Sequence, residues 1–328
     1  MPRDVTEFAY SLLDKGLVPD FILRIIIRAL CRQRLRTIDH GSLFSPVLGP
    51  YAKYSSCLYP TGRETLEQAE ILMLDSYCEK AQLTDGMDVL DLGCGWGSLS
   101  IYLAQKYPKS RIIGLSNSST QKLYIDAIAK EKGLNNVKII TGDVNIFEFG
   151  DTQCFDRILS IEMFEHMKNY EVLLRKISTW LRPTSADHAH ESFLFVHLFC
   201  HKMTPYHFEQ DDGWMAQSFF TGGTMPSHDL LAYFQSDLTL VRSWYINGRH
   251  YSRTLEAWLE KQDRNAKAGI KELEKDAISK GLDKEEGRKA FYRFRIFYMA
   301  CSELFALNGG EEWGIGHYLF KPKIMQQS

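Results

Sequence analysis

An α/β chain, a Rossmann-like doubly wound sheet of seven strands, is predicted by three observations. From residue 87 onward, short apolar runs alternate with helix-like stretches, the rhythm of parallel strands joined by crossover helices. The first of those runs ends in an acid, Asp91, and passes into glycines at alternate positions, Gly93, Gly95 and Gly97. Composition is that of an ordinary globular protein, 45% apolar and 24% charged over 328 residues, long enough for one large core or two smaller ones.

Residues 1–84 read mostly helical, interrupted near 41–60 by Gly, Ser, Pro and Tyr. They are expected to form an N-terminal cap. Within them Phe21 to Leu30 carries apolar residues on one helical face, is too short to span a bilayer, and contains Arg24 and Arg28. The opening residues carry acids early and no long apolar core, so no secretory signal is expected. Residues 85–328 should then form the main domain. Its expected strands are Asp88 to Leu92, Arg111 to Leu115, Val137 to Thr141, Phe155 to Ile161 and Ser192 to Leu198, with two more at Leu238 to Ile246 and Trp313 to Phe320. Helices are expected at 98–106, 119–132 and 170–181. Two insertions should form a lid: residues 200–236, rich in Phe, Tyr, His and Trp, and residues 252–308, which read as helical with a charged, solvated pair at 260–288. The SADHAH segment at 185–190 reads as a loop.

Several functions are disfavoured at once. Formal charge is -2, from 39 basic and 41 acidic residues, with no long basic stripe, so nucleic acid is not an expected partner. No stable membrane insertion is expected either. Seven scattered cysteines include no C-x-x-C pair, which argues against a structural zinc or other metal site and for a reduced, cytoplasmic setting.

In open parallel sheets the ligand lies beyond the carboxyl ends of the strands, so each strand end is a candidate site. The first strand ends in a G-x-G-x-G turn, where glycines let backbone approach a ligand; the spacing differs from the G-x-G-x-x-G of dinucleotide sites. The second ends at Asn117, whose amide can bond a pair of hydroxyls, or cap the following helix, with Gln121 one turn on. The third is followed by Asp143 and Val144, a carboxylate and a backbone N–H suited to a purine edge. The fourth ends in Glu162, Glu165 and His166, two carboxylates and an imidazole within five positions. An aliphatic amine is largely protonated at neutral pH. A histidine titrating there can take its proton, while carboxylates stabilise the ammonium and orient the base.

Taken together, the motifs resemble a class I S-adenosylmethionine-dependent methyltransferase. More narrowly, they resemble the coclaurine N-methyltransferase group of the cyclopropane-fatty-acid-synthase family. The resemblance runs from Lys53 to Lys323 through KYSSCLYP, ETLEQAEILMLDSYCEKAQL, VLDLGCGWGSLSIYLAQKYP, GLSNSSTQK, EMFEHMKNYE, FLFVHLFCHK, TGGTMPS, YFQSDL, GRHYSRTLEAWL and NGGEEWGIGHYLFKPK. It implies S-adenosylmethionine as cofactor, held by Tyr54, Ser55, Gly93, Gly95, Asn117, Gln121, Asp143 and Val144. It implies Glu162, Glu165 and His166 as the catalytic cluster and Phe305 and Trp313 as aromatic walls for the substrate. The expected reaction is N-methylation of a small aromatic or benzylisoquinoline-like amine; homodimer formation is left open. Ser56 departs from the group, whose members commonly carry cysteine there. Two alternatives stand beside this reading. One is carbon methylation of an unsaturated lipid, as in cyclopropane synthases, which resemble the chain at Glu165, His197, Tyr251 and Cys301 and use bound bicarbonate as base. Against it, the acidic run Glu209 to Asp212 suits a cationic amine better than an anionic membrane. The other is a non-catalytic, cofactor-binding partner subunit, disfavoured by the intact acidic cluster.

Overall fold

A computed structural model describes residues 47–150, 154–183, 191–207 and 223–323. Most of the expected N-terminal cap, including the Phe21 to Leu30 segment, lies outside the described residues, as do the SADHAH loop, the acidic run at 209–212 and much of the aromatic insertion.

Helix α1, Leu66–Lys80, opens with a capping box: Gln68 N donates to Thr65 Oγ1 at 3.2 Å and Thr65 N donates to Gln68 Oε1 at 2.9 Å. It lays Met73, Leu74 and Tyr77 against the sheet, in one apolar cluster with Val89, Leu159 and Phe195. The sheet is built from β1 (Asp88–Leu92), β2 (Arg111–Ser116), β3 (Val137–Thr141), β4 (Arg157–Ile161), β5 (Phe193–His201), β8 (Leu238–Asn247) and β9 (Trp313–Pro322). A separate two-stranded ribbon pairs β6 (Tyr206–His207) with β7 (Thr224–Met225). Strand order is β3-β2-β1-β4-β5-β9-β8; the first five run parallel, and β9 pairs antiparallel with both β5 and β8. The seven expected strands are all present. The fourth begins at Arg157, because Phe155 instead bridges to Leu181, and the fifth runs on to His201.

Helices α2 (Ser98–Lys106), α3 (Ser119–Glu131) and α4 (Tyr170–Trp180) are the crossovers. Both faces of the sheet are covered, which is why its strands read as continuous apolar runs. Leu90 and Leu92 point to the cluster under α4, and Val89 to the one under α1 and α2. Chain order reverses between β1 and β4. That crevice is the topological switch point where doubly wound sheets bind ligands.

The expected lid insertion at 252–308 folds as three helices, α5 (Arg249–Arg264), α6 (Ala266–Ser279) and α7 (Lys284–Ala306). They share a core of their own around Trp258, Phe294 and Tyr298, where truncating Trp258 to alanine should cost roughly 3–5 kcal/mol. The charged stretch is α6 with its flanks; it buries only Gly269, Leu273 and Ala277 and turns its charges to solvent. Among the described residues no helix is long and apolar enough to cross a membrane.

Candidate active site

The end of β1 is a backbone device. Gly93 N and Cys94 N both donate to Leu115 O at 3.0 Å, locking the turn to β2. Gly93 and Gly95 have φ of +83° and +51°, a region that side chains resist. At Gly93 a Cβ would lie 2.8 Å from Met163 Cγ, so this glycine lets the β1 and β4 ends close up. At Gly95 a Cβ would meet nothing within 4 Å, because the position opens into a cavity of about 300 Å³. Asp91 forms part of that cavity's lining, buried, with Ser100 Oγ donating to it at 2.6 Å; burial pushes its carboxyl up to about 6.

Of the expected cofactor residues, Tyr54, Ser55, Gly93, Gly95 and Gln121 line this cavity. Tyr54 is held there by stacking on Trp258, centroids 5.4 Å apart. Asn117, Asp143 and Val144 do not line it. Asn117 is exposed just beyond β2, and the cap of α3 is Ser118, which accepts from Gln121 N. Asp143 Oδ1 accepts from Asn145 N at 2.9 Å within its own turn. Val144 lines a second, open depression that shares His166 with the cavity.

The end of β4 is built from side chains. Glu162 sits at φ +51°, a conformation costly for a non-glycine residue that the surrounding contacts must hold in place. Its Oε1 accepts from Ser56 N and from His197 Nε2, each at 3.0 Å. The first of these contacts comes from backbone, which explains why serine can replace cysteine at position 56. Three residues on, Glu165 lies one layer behind. It is fully buried and does not line the cavity; its Oε1 accepts from Phe199 N at 2.8 Å. Burial, reinforced by the charge of Glu162, raises its carboxyl well above the usual range. Of the two carboxylates only Glu162 lines the cavity; Glu165 secures the β5 backbone through Phe199 N. His166 lines the cavity while keeping an exposed edge, and burial lowers its pKa despite the opposing pull of Glu162.

The two expected aromatic walls do not line the cavity. Phe305 is buried at 4% exposure, edge-on to Tyr251 at 4.8 Å, and it is Tyr251 that faces the cavity. Trp313 stands further out, donating through Nε1 to Tyr206 Oη at 3.0 Å and packing edge-on to His201.

Behind Glu162 runs a polar chain of which the sequence reading named only His197, through the likeness to cyclopropane synthases, and neither His317 nor Lys80. His197 Nδ1 lies 3.0 Å from the Tyr77 hydroxyl and 2.8 Å from His317 Nε2, and His317 Nδ1 lies 2.8 Å from Lys80 Nζ. Lys53, also buried, reaches Ser55 Oγ and Ser56 O and lies over the Tyr77 ring. One signal was available: His197 and His317 each interrupt an otherwise apolar strand, FLFVHLF and GIGHYLF.

Residues 38–302 match the family described as mycolic acid cyclopropane synthetase. The chain is 42% identical over 279 residues to an (S)-coclaurine N-methyltransferase of Thalictrum flavum subsp. glaucum, covering 84% of this chain and 74% of that one. It is 34% identical over 225 residues to the cyclopropane-fatty-acyl-phospholipid synthase of Escherichia coli strain K12, covering 67% of this chain and 53% of that one. A crystal structure of a coclaurine N-methyltransferase bound to N-methylheliamine and S-adenosylhomocysteine superposes with a TM-score of 0.86 at 35% identity, covering 98% of this chain and all of that one. A cyclopropane synthase of Mycobacterium tuberculosis superposes at 0.67 with 22% identity, a likeness of fold.

Proposed function

The chain belongs to the mycolic acid cyclopropane synthetase family, and within it we propose that the protein transfers a methyl group from S-adenosylmethionine to the nitrogen of a small aromatic or benzylisoquinoline-like amine. It is an S-adenosylmethionine-dependent methyltransferase, as its relatives are. The residues suit that cofactor: Gly95 opens onto space into which a side chain would project, and Gln121 and Asp91 flank it. When bound, the cofactor supplies an electrophilic methyl carbon on a sulfonium.

The observation that carries the reading is that Glu162 and His166 line the same cavity as the glycine turn. A cationic amine entering the cavity meets the Glu162 carboxylate, whose aim is set by Ser56 N and His197. A neutral His166, its pKa held low by burial, takes the ammonium proton and leaves the nitrogen lone pair free. Tyr54, Tyr251 and Phe297 give the cavity aromatic walls that exclude water and favour a flat, cationic guest. Asn117, Asp143 and Val144 remain proposed contacts for the adenosine end at the cavity's outer edge, and Phe305 acts through Tyr251. We read residues 85–328 as the methyltransferase domain and 1–84 as its cap, in a cytoplasmic setting.

Incubation with isotopically labelled cofactor, an amine panel and phospholipid vesicles, read by mass spectrometry, tests the proposal. Label on amine nitrogen is the expected result. Label on the acyl chains of the vesicles, with none on amines, would overturn it in favour of the lipid chemistry.

A further inference from the structure

Glu162 is the inner end of a hydrogen-bonded line that crosses the sheet. Its members come from four separate elements: Glu162 just after β4, His197 on β5, His317 on β9 and Lys80 at the last turn of α1. Cα register places His197 directly opposite both Ile161 and His317. The links are 3.0 Å from Glu162 Oε1 to His197 Nε2, 2.8 Å from His197 Nδ1 to His317 Nε2, and 2.8 Å from His317 Nδ1 to Lys80 Nζ. Both imidazoles are fully buried, whereas Lys80 is partly exposed at the outer end.

The two ends dictate the direction of every bond between them. A protonated lysine only donates, so His317 Nδ1 must accept. A neutral imidazole has one N–H, so His317 then carries its hydrogen on Nε2 and donates to His197 Nδ1. His197 in turn carries its hydrogen on Nε2 and donates to the Glu162 carboxylate. Every bond points toward Glu162. We propose that Lys80, acting through His317 and His197, is a positioning residue that keeps the Glu162 carboxylate aimed into the cavity, so that turnover depends on the charge of a lysine at the edge of the fold.

Removing the Lys80 proton removes the constraint. Its lone pair can then accept from His317, both tautomers can invert, and the bare His197 Nε2 would face the carboxylate with no hydrogen to offer, so that Glu162 loses one of the two bonds that aim it. Burial keeps both imidazoles neutral: His197 is lowered to about 4, and His317 is lowered well below its ordinary range. Burial also brings Lys80 down to about 8, within an assayable range. Around Lys80 stand Glu79 on its own helix, which favours the charge, and from β8 Arg242, which opposes it, with the Trp244 ring 5.3 Å away. Facing the imidazoles are Tyr77 from α1 and Lys53; facing Glu162 are Lys53, Glu165, His166 and Tyr251.

The proposal rests on Glu162 facing the acceptor, as argued above, but one of its readouts needs no acceptor. In ¹⁵N-histidine spectra of the wild-type protein, His197 and His317 should both be Nε2–H tautomers at pH 7 and should change together as pH rises past 8. In K80M the change should already be present at pH 7, and kcat should fall about 10–100-fold with the cofactor KM unaltered. K80R should restore most of kcat and move the basic limb of its pH profile upward, because the guanidinium stays charged. Tautomers in the wild type that ignore pH between 7 and 9.5 would overturn the proposal, whether or not the variants fold. So would a K80M enzyme with wild-type kcat and pH profile. Failure of the amine assignment would leave the tautomer result standing, and failure of the line would leave amine methylation intact.

Discussion

The ends of β1 and β4 are neighbours across the switch point, yet they are built in opposite ways. The β1 end is backbone: a turn held by two N–H bonds to Leu115 O, in which Gly95 works by having no side chain. The β4 end is side chains under tension, with Glu162 at positive φ and tied to Ser56 N and His197, and Glu165 sunk behind it. A site made of missing atoms tolerates no additions. A site made of charges in a dry interior depends on every partner that sets those charges.

The largest effect should come from the backbone end. Gly95→Val places a β-branched side chain in the open space at φ +51°, and S-adenosylhomocysteine binding by calorimetry should be lost while circular dichroism stays native. Near-wild-type affinity would break the contrast, since the turn would then not be the cofactor's seat.

At the charged end, the two glutamates should separate. Glu162→Gln should lose on the order of 10²–10⁴-fold in kcat near pH 7. Glu165→Gln, replacing a carboxyl that lies behind the cavity and that burial pushes well above its usual range, should lose far less. Equal losses would mean that Glu165 works as an anion and that the layering described here does not govern the chemistry.

His166→Ala should cost about 10²-fold at pH 7 and recover in part toward pH 9. The sign follows from the amine: as pH rises, more of it arrives already deprotonated and the missing base matters less. A defect that stays constant across this range would leave His166 a wall rather than a base.

The smallest effect is on stability. Glu70 is fully buried in α1, its Oε2 accepts from Tyr51 N at 3.1 Å, and burial raises its carboxyl to about 7. The native state thus keeps a proton that the unfolded chain releases near its ordinary pKa, so stability is full below about 4.5 and falls as pH rises to about 7. Between pH 5 and 8 the wild-type melting temperature should drop on the order of 5 °C more than that of Glu70→Gln. Parallel curves would show that this carboxyl is ionised in the folded protein.

Much of the molecule was legible from residue order alone. Strand and helix positions follow from local periodicity, and the glycine turn and the Glu162–His166 cluster each lie within one short segment. The departures follow from long-range contacts. The family resemblance implies Phe305 and Trp313 as substrate walls, whereas packing of α7 sets Phe305 behind Tyr251 and Trp313 bonds to Tyr206, so neither lines the cavity. Asp143 reads as a ligand at a strand end; its own turn takes Oδ1, and its placement outside the cavity lining is set by how that turn folds.

By itself, the sequence determined where β1 and β4 stop, which fixes the switch point, and which residues stand at those two ends, because both depend on neighbours a few positions apart. Only the tertiary structure decided which of two glutamates faces the cavity. It also joined Lys80, His197 and His317 into one line, although 237 residues separate the ends of the Lys80–His317 contact. The physical reason is that a side chain's charge is set by its burial and its partners, and those come from strands and helices that meet only when the sheet is assembled.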